Sequence, residues 1–208
     1  MKRQQIVEIL KEEITNGTLS PGQRLVEAQL SDRFALTSYK IRQALRQLEA
    51  DGFVKVIPNV GAMVSELSQK DIEHSYDLMA ALEGLSVREA TPFITPQHIK
   101  KLELLIDKME RIEDPLLFYK LNDEFHSMVS SLSENERLIQ IADNLRIHLR
   151  RFGSEVFYNP IQRAASRKEH RRIFEAIKEA QPAKAERLVR DHYLKTKNCH
   201  IRAACKSL

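Results

Sequence analysis

Three of the seven histidines stand on apolar helix faces in three separate stretches of the chain. His126 lies beside the stripe Leu117, Leu121, Phe125, Met128 and Leu132. His170 shares a face with Ile173, Phe174 and Ile177. His192 lies among Ala185, Leu188, Val189, Thr196 and Cys199. One such histidine is ordinarily a hydrogen-bonded core residue, but three on three helices of one bundle suggest metal. Neutral imidazoles bind Zn²⁺, Ni²⁺ or similar ions well. Asn122 precedes His126 by one helical turn, so its side-chain oxygen points the same way and could join them. Such a site keeps positions open for water or a ligand carboxylate. Arg146 and Arg150, one turn apart, are the arginines placed to hold such a carboxylate.

A second constellation could read nucleic acid. Residues 37–50 carry Ile41, Ala44, Leu45 and Leu48 at i, i+3, i+4 and i+7. Tyr39, Gln43 and Arg46 fall on the opposite face, with Arg42 beside them. Lys40, Arg42 and Arg46 against Glu49 make the segment locally cationic. Thr37 is placed to cap this helix. Its hydroxyl and the free amides of the first turn could hold a phosphate. A helix with an apolar back and a small, polar or cationic front fits the major groove.

These residues need elements to hold them. Before residue 67 the pattern is helix, helix, helix, hairpin. Residues 3–16 place Ile6, Ile9, Leu10 and Ile14 on one face and stop at Asn16-Gly17. Residues 27–34 make a short second helix, with Leu30 and Phe34 inward. Residues 37–50 make the third, ended by Asp51-Gly52. Residues 53–57 and 62–64 read as strands joined by Pro58-Asn59-Val60-Gly61. From Ser68 onward no strand signal remains. Helices are predicted over 69–91, 96–111, 114–132, 135–158, 161–180 and 183–204. X-Pro steps at 91–92, 95–96, 114–115, 159–160 and 181–182 punctuate them. The expected architecture is mainly α. Residues 1–66 form a winged helix-turn-helix and residues 69–208 an all-helical bundle of about six helices.

Composition narrows the function classes. The 208 residues are 42% hydrophobic and 30% charged, with 6 Gly and 7 Pro, which suits a packed helical protein. No apolar run approaches a membrane span, and mean hydropathy is −0.41. Charges interrupt the apolar positions of the first helix, so it does not read as a signal peptide. Two cysteines, Cys199 and Cys205, give no disulfide framework, and a cytoplasmic location is expected. The net charge of +4 is spread evenly: the first 66 residues hold 9 basic against 8 acidic groups. Any nucleic-acid contact therefore depends on a shaped local surface rather than bulk charge.

Residues 20–64 resemble the DNA-binding domain of GntR-family bacterial transcription regulators. The shared positions are Pro21-Gly22, Arg24-Leu25, Glu27, Leu30, Ile41-Arg42, Ala44-Leu45, Leu48-Glu49, Gly52-Phe53 and Gly61-Ala62 with Val64. Where the family usually opens its third helix with Ser-Arg-Thr-Pro-Val-Arg, this chain has Thr37-Ser38-Tyr39-Lys40-Ile41-Arg42. Ser38 thus replaces an arginine commonly used on bases, and Ala28 another that some relatives use. The implied DNA-contacting set is Thr37, Ser38, Tyr39, Lys40, Arg42 and Arg46, with Asn59 and Gly61 at the wing tip. Residues 69–208 resemble the FCD effector domain through Leu82-Glu83, Phe125-His126, Asn135, Glu169-His170 and His192. That resemblance implies a divalent metal held by Asn122, His126, His170 and His192. Asn122 stands where many members carry an aspartate, and Met79 where many carry an arginine.

The reading is a homodimeric bacterial transcription regulator, most simply a repressor, and not an enzyme. Its partners are a double-stranded, (pseudo)palindromic operator and a small effector, an organic acid in this subgroup. No membrane is involved. Two alternatives stand beside it: a metal-dependent helical hydrolase, and an architectural DNA-binding protein with a vestigial effector domain.

Overall fold

The computed structural model describes residues 3–204, with backbone alone for 151–156 and 202–204. The chain divides into two units, Met1–Ser68 and Gln69–Leu208. In the first, α1 (Arg3–Thr15), α2 (Glu27–Phe34) and α3 (Ser38–Ala50) surround a core of Ile6, Leu10, Ile41, Leu48 and Phe53. Strand β2 (Val54–Ile57) pairs with β3 (Gly61–Val64), and the Val60 N–H donates to the Ile57 carbonyl across the turn. Asn59 adopts φ +63° in that turn, a conformation asparagine tolerates. A third strand, β1 (Arg24–Leu25), pairs with the other edge of β3, giving the order β1-β3-β2. Two residues carry no periodicity, so the pattern did not announce β1.

The orientation of α3 follows from its ends and its neighbours. At its C-terminus Gly52 takes φ +79°. The Phe53 N–H donates to the Leu48 carbonyl and the Gly52 N–H to that of Glu49. This double closure needs a left-handed residue, which glycine adopts cheaply. Lys11 of α1 bonds Asp51 at 2.8 Å and lies over the Phe53 ring, tying α1 to this corner. Glu49 Oε1 accepts from the Val56 N–H at 2.9 Å, which fixes the wing against α3. At the other end Thr37 occupies the cap position with extended backbone, but its hydroxyl accepts no capping hydrogen bond. The expected side-chain cap is therefore not formed.

The second unit consists of α4 (Gln69–Ala90), a 3₁₀ turn (Thr91–Phe93), α5 (Pro96–Arg111), α6 (Pro115–Ser131), α7 (Glu136–Phe157), α8 (Pro160–Lys178) and α9 (Pro182–Ala204). Proline sits at the first helical position of α5, α6 and α8. Thr95, Asp114 and Asn159 precede it, and each side chain accepts from a first-turn amide. Helix α4 packs chiefly against α9, and also against α6 and α7. Helix α5 is stitched to α8 by charge. Arg171 reaches Asp107 and Glu110, while Arg167 donates to the terminal carbonyls of Met109 and Ile112. Helix α6 turns differently from expectation. Its buried stripe is Phe118, Phe125, His126 and Val129, whereas Leu117 is exposed. The offset of about one residue places His126 within the core face rather than beside it. Cys199 donates to Gln162 Oε1, and Cys205 lies outside the described residues.

Candidate metal centre and nucleic-acid face

Helices α6, α8 and α9 bring His126, His170 and His192 together. One ring nitrogen from each lies within 4.8 Å of the others, and all three side chains are buried. Two of the rings are hydrogen-bonded from behind, and the third faces a carboxylate at longer range. His170 Nδ1 lies 2.8 Å from the Ser166 carbonyl, one turn earlier in α8. His192 Nδ1 lies 2.8 Å from Glu169 Oε2. His126 Nδ1 faces Glu83 Oε2 at 3.7 Å. An Nδ1–H directed at an oxygen leaves Nε2 with a lone pair, the tautomer that binds metals. His126 and His170 present Nε2 atoms to each other at 3.2 Å. Burial, reinforced by the neighbouring imidazoles, holds His126 far below the usual histidine range, and burial takes His170 down to about 3. Both are neutral at physiological pH.

Asn122, on α6, lies beside this cluster in the chain, four residues before His126. Asn122 Oδ1 is buried, has no hydrogen-bond partner, and lines a cavity beside His192. A buried amide oxygen left unsatisfied is costly unless something fills its coordination. Three clustered imidazoles and an unpaired amide oxygen are ligand types that suit a divalent ion of the Zn²⁺ or Ni²⁺ kind. The cavity holds about 40 Å³ of free space, room for a few waters. Met79, Tyr76, Tyr119, Tyr193, Asp123 and Arg146 also line it.

Electrostatics around the cavity are set by Glu83, Arg146, Asp143 and Asp123. Glu83, 1% exposed, is ion-paired with Arg146, which also bonds Asp143 and has its Nε 3.8 Å from Asp123. Burial pushes the Glu83 carboxyl up to about 7 against the pull of the Arg146 guanidinium. Arg146 reaches the cavity wall, but three acids already surround it. Arg150 pairs with Asp123 and is not among the lining residues. Asp123 thus faces the arginines. Glu169, the residue before His170, is engaged at both oxygens, by His192 and Lys195. Burial raises its carboxyl, but these two donors outweigh that and leave it low. Of the other histidines, His98 completes a capping box with Thr95, and His200 is buried against Tyr76.

In the first unit, α3 shows the expected two faces. Ile41, Ala44, Leu45 and Leu48 are buried, and Thr37, Ser38, Tyr39, Lys40, Arg42 and Arg46 are exposed. Arg42 Nε lies 3.5 Å from Glu27. Asn59 and Gly61 are exposed at the wing tip.

Comparison with known proteins agrees with both units. Residues 2–64 match the model for bacterial regulatory proteins of the gntR family, and residues 71–195 match the FCD domain. The chain belongs to the GntR family of regulators with an FCD domain. It is 31% identical over 192 residues to an uncharacterized HTH-type transcriptional regulator, YdhC, of Bacillus subtilis, covering 88% of this chain and 84% of that one. It is 25% identical to the HTH-type transcriptional repressor RspR of Escherichia coli, covering 91% and 84%. Among solved structures, E. coli McbR/YncC superposes with a TM-score of 0.79 over 97% of this chain and 98% of that one. At 19% identity that likeness speaks for the fold alone.

As a GntR/FCD protein, the chain is a DNA-binding transcriptional regulator with an effector domain. Its winged unit and helical bundle are the ones expected from the pattern. Among the described residues, no helix is long and apolar enough to cross a membrane. The support behind the FCD histidines was the part missed. Glu83 had a signal: it is a charge set between Ala80 and Val87 on the buried stripe of α4. Glu169 adjoins His170 in the sequence, but nothing there pairs it with His192, which is on another helix.

Proposed function

We propose that this regulator, most simply a repressor, binds an operator through the exposed face of α3 and the wing, and releases it when a small acid enters the α6–α8–α9 site. Asn122, His126, His170 and His192 would hold a divalent ion. Such an ion would supply a Lewis-acidic position to which a carboxylate can bind. The observation that carries this reading is the clustering of the three buried imidazoles of His126, His170 and His192, with the unsatisfied Asn122 oxygen on the cavity that His192 also lines.

The chain's own residues limit the effector. The cavity is small, and Arg146 is shared among Glu83, Asp143 and Asp123. A compact monocarboxylate suits it better than a large polyanion. On the DNA side, Lys40, Arg42 and Arg46 would meet phosphates. Thr37, Ser38, Tyr39, Asn59 and Gly61 would complete the surface. A homodimer would present two such surfaces to a (pseudo)palindromic operator. Release by an effector requires that it bind the DNA-competent and DNA-incompetent states unequally.

The test is elemental analysis of protein purified without chelator or added metal, beside His170→Ala. Near-stoichiometric divalent metal in the wild type, lost in the variant, is expected. A folded wild-type protein free of metal, and not stabilised by added Zn²⁺ or Ni²⁺, would overturn the metal site. A fluorescence assay on selected operator DNA, with small monocarboxylates added, tests the switch.

A further inference from the structure

The outermost stripe of α3 is not simply cationic. Tyr39, Gln43 and Arg46 lie directly opposite the buried Ile41, Ala44, Leu45 and Leu48. Tyr39 is 64% exposed, and Gln43 Nε2 donates to its hydroxyl oxygen at 2.7 Å, one turn away. Arg42, beside them, is drawn toward Glu27, and Ser38 lies 3.5 Å from Ser31 at the start of the helix. The centre of the stripe is therefore a neutral amide with a fixed orientation.

That orientation has consequences for base reading. One of the two Gln43 amide hydrogens is spent on Tyr39. The side chain then shows the groove one donor and one acceptor. Adenine offers the complement on its major-groove edge, with N7 accepting and the N6 amino group donating. Guanine offers two acceptors, N7 and O6, so the Gln43 oxygen would face O6 with no hydrogen between them. We propose that Gln43 is the base-reading residue of this regulator, that it selects adenine, and that Tyr39 is the residue that positions it. The proposal rests on the reading that α3 enters the major groove.

The experiment uses the full chain. A duplex is selected from a random pool. Dissociation constants are then measured at one fixed salt concentration for it and for versions with single pairs changed, because salt alone shifts such affinities strongly. Wild type is expected to require an A·T pair in each half-site, with replacement by G·C weakening binding on the order of 10- to 100-fold. Gln43→Ala should reduce that discrimination to within about 3-fold. Gln43→Glu, of the same shape, should lose adenine and favour cytosine, which offers a donor. Tyr39→Phe frees the amide and should admit guanine, narrowing the adenine-over-guanine preference of the wild type. Arg46→Ala should weaken all duplexes alike. Unchanged base preference in both Gln43 variants, or a wild-type preference for guanine at the position Gln43 governs, overturns the proposal. If Arg46→Ala and both Gln43 variants leave binding to every duplex intact, the reading of α3 itself falls with it.

Discussion

At the scale of single residues, the proposed metal site depends on how its rings are held. Asn122 would be its weakest member, since a neutral amide oxygen attracts a cation less than a carboxylate does. Asn122→Asp is expected to bind metal more tightly than wild type in competition with a chromogenic chelator. Equal or weaker binding would mean that the Asn122 oxygen does not face the ion. Acid should act in a defined direction on chelator-treated protein. His170 titrates at about 3 when folded against about 6.5 when unfolded. The unfolded chain therefore binds the extra proton, and the stability His170 contributes is complete above 6.5 and lost as pH falls toward 3. His126 acts in the same sense. Glu83, raised to about 7, works the opposite way between about 4.5 and 7. Denaturant midpoints should fall most steeply below about pH 4.5. A midpoint that rises on acidification from 4.5 to 3 would contradict this.

At the scale of elements, most of the molecule was legible because its helices are strongly punctuated. Pro96, Pro115 and Pro160 follow Thr95, Asp114 and Asn159, so the starts of α5, α6 and α8 are written in dipeptides. The facing of α6 was less legible. Leu116, Leu117 and Leu121 cluster beside its true inner stripe, and hydrophobicity alone cannot choose between neighbouring stripes. Glu83, Asp123 and Glu169 were harder still, because an acid in a helix normally faces solvent and only tertiary pairing with Arg146, Arg150 and His192 brings these inward. Helix ends offer a stability test. Ala35 after α2 and Ala180 after α8 sit at φ +52°, and in both places the next amide closes back on the helix. A left-handed alanine costs about 1–2 kcal/mol, partly offset in glycine by chain entropy. Ala35→Gly and Ala180→Gly should each stabilise by up to about 1 kcal/mol, read as a raised urea midpoint. A lowered midpoint in both would contradict the helix-stop account.

At the scale of the whole molecule, the two units have separate cores: Ile6, Leu10, Ile41, Leu48 and Phe53 in one, and Met79, Leu102, Phe118, Phe125 and Phe174 in the other. Only the second holds the imidazoles. Calorimetry of the metal-loaded chain should resolve two transitions, and a chelator should lower only the one belonging to residues 69–208. A ligand at 100-fold over its Kd adds about 2.7 kcal/mol to the native state it binds. For a unit of this size that is a shift of several degrees. A chelator effect on both transitions alike would show that the units unfold as one.

The Glu169-His170 dipeptide does two jobs in two directions. His170 turns its Nε2 toward His126, while Glu169 reaches across to the back of His192, which lies 22 positions after His170. Two letters that are neighbours in the chain therefore answer to different helices. In a double-mutant cycle, Glu169→Gln and His192→Gln should behave as one lesion. Either change alone should forfeit most of the metal affinity that the pair forfeits together, so their free energies do not add. Glu169 and His170, although covalently adjacent, would come closer to additivity. Proximity in energy at this site is thus set by the hydrogen bond between α8 and α9 rather than by the peptide bond within α8.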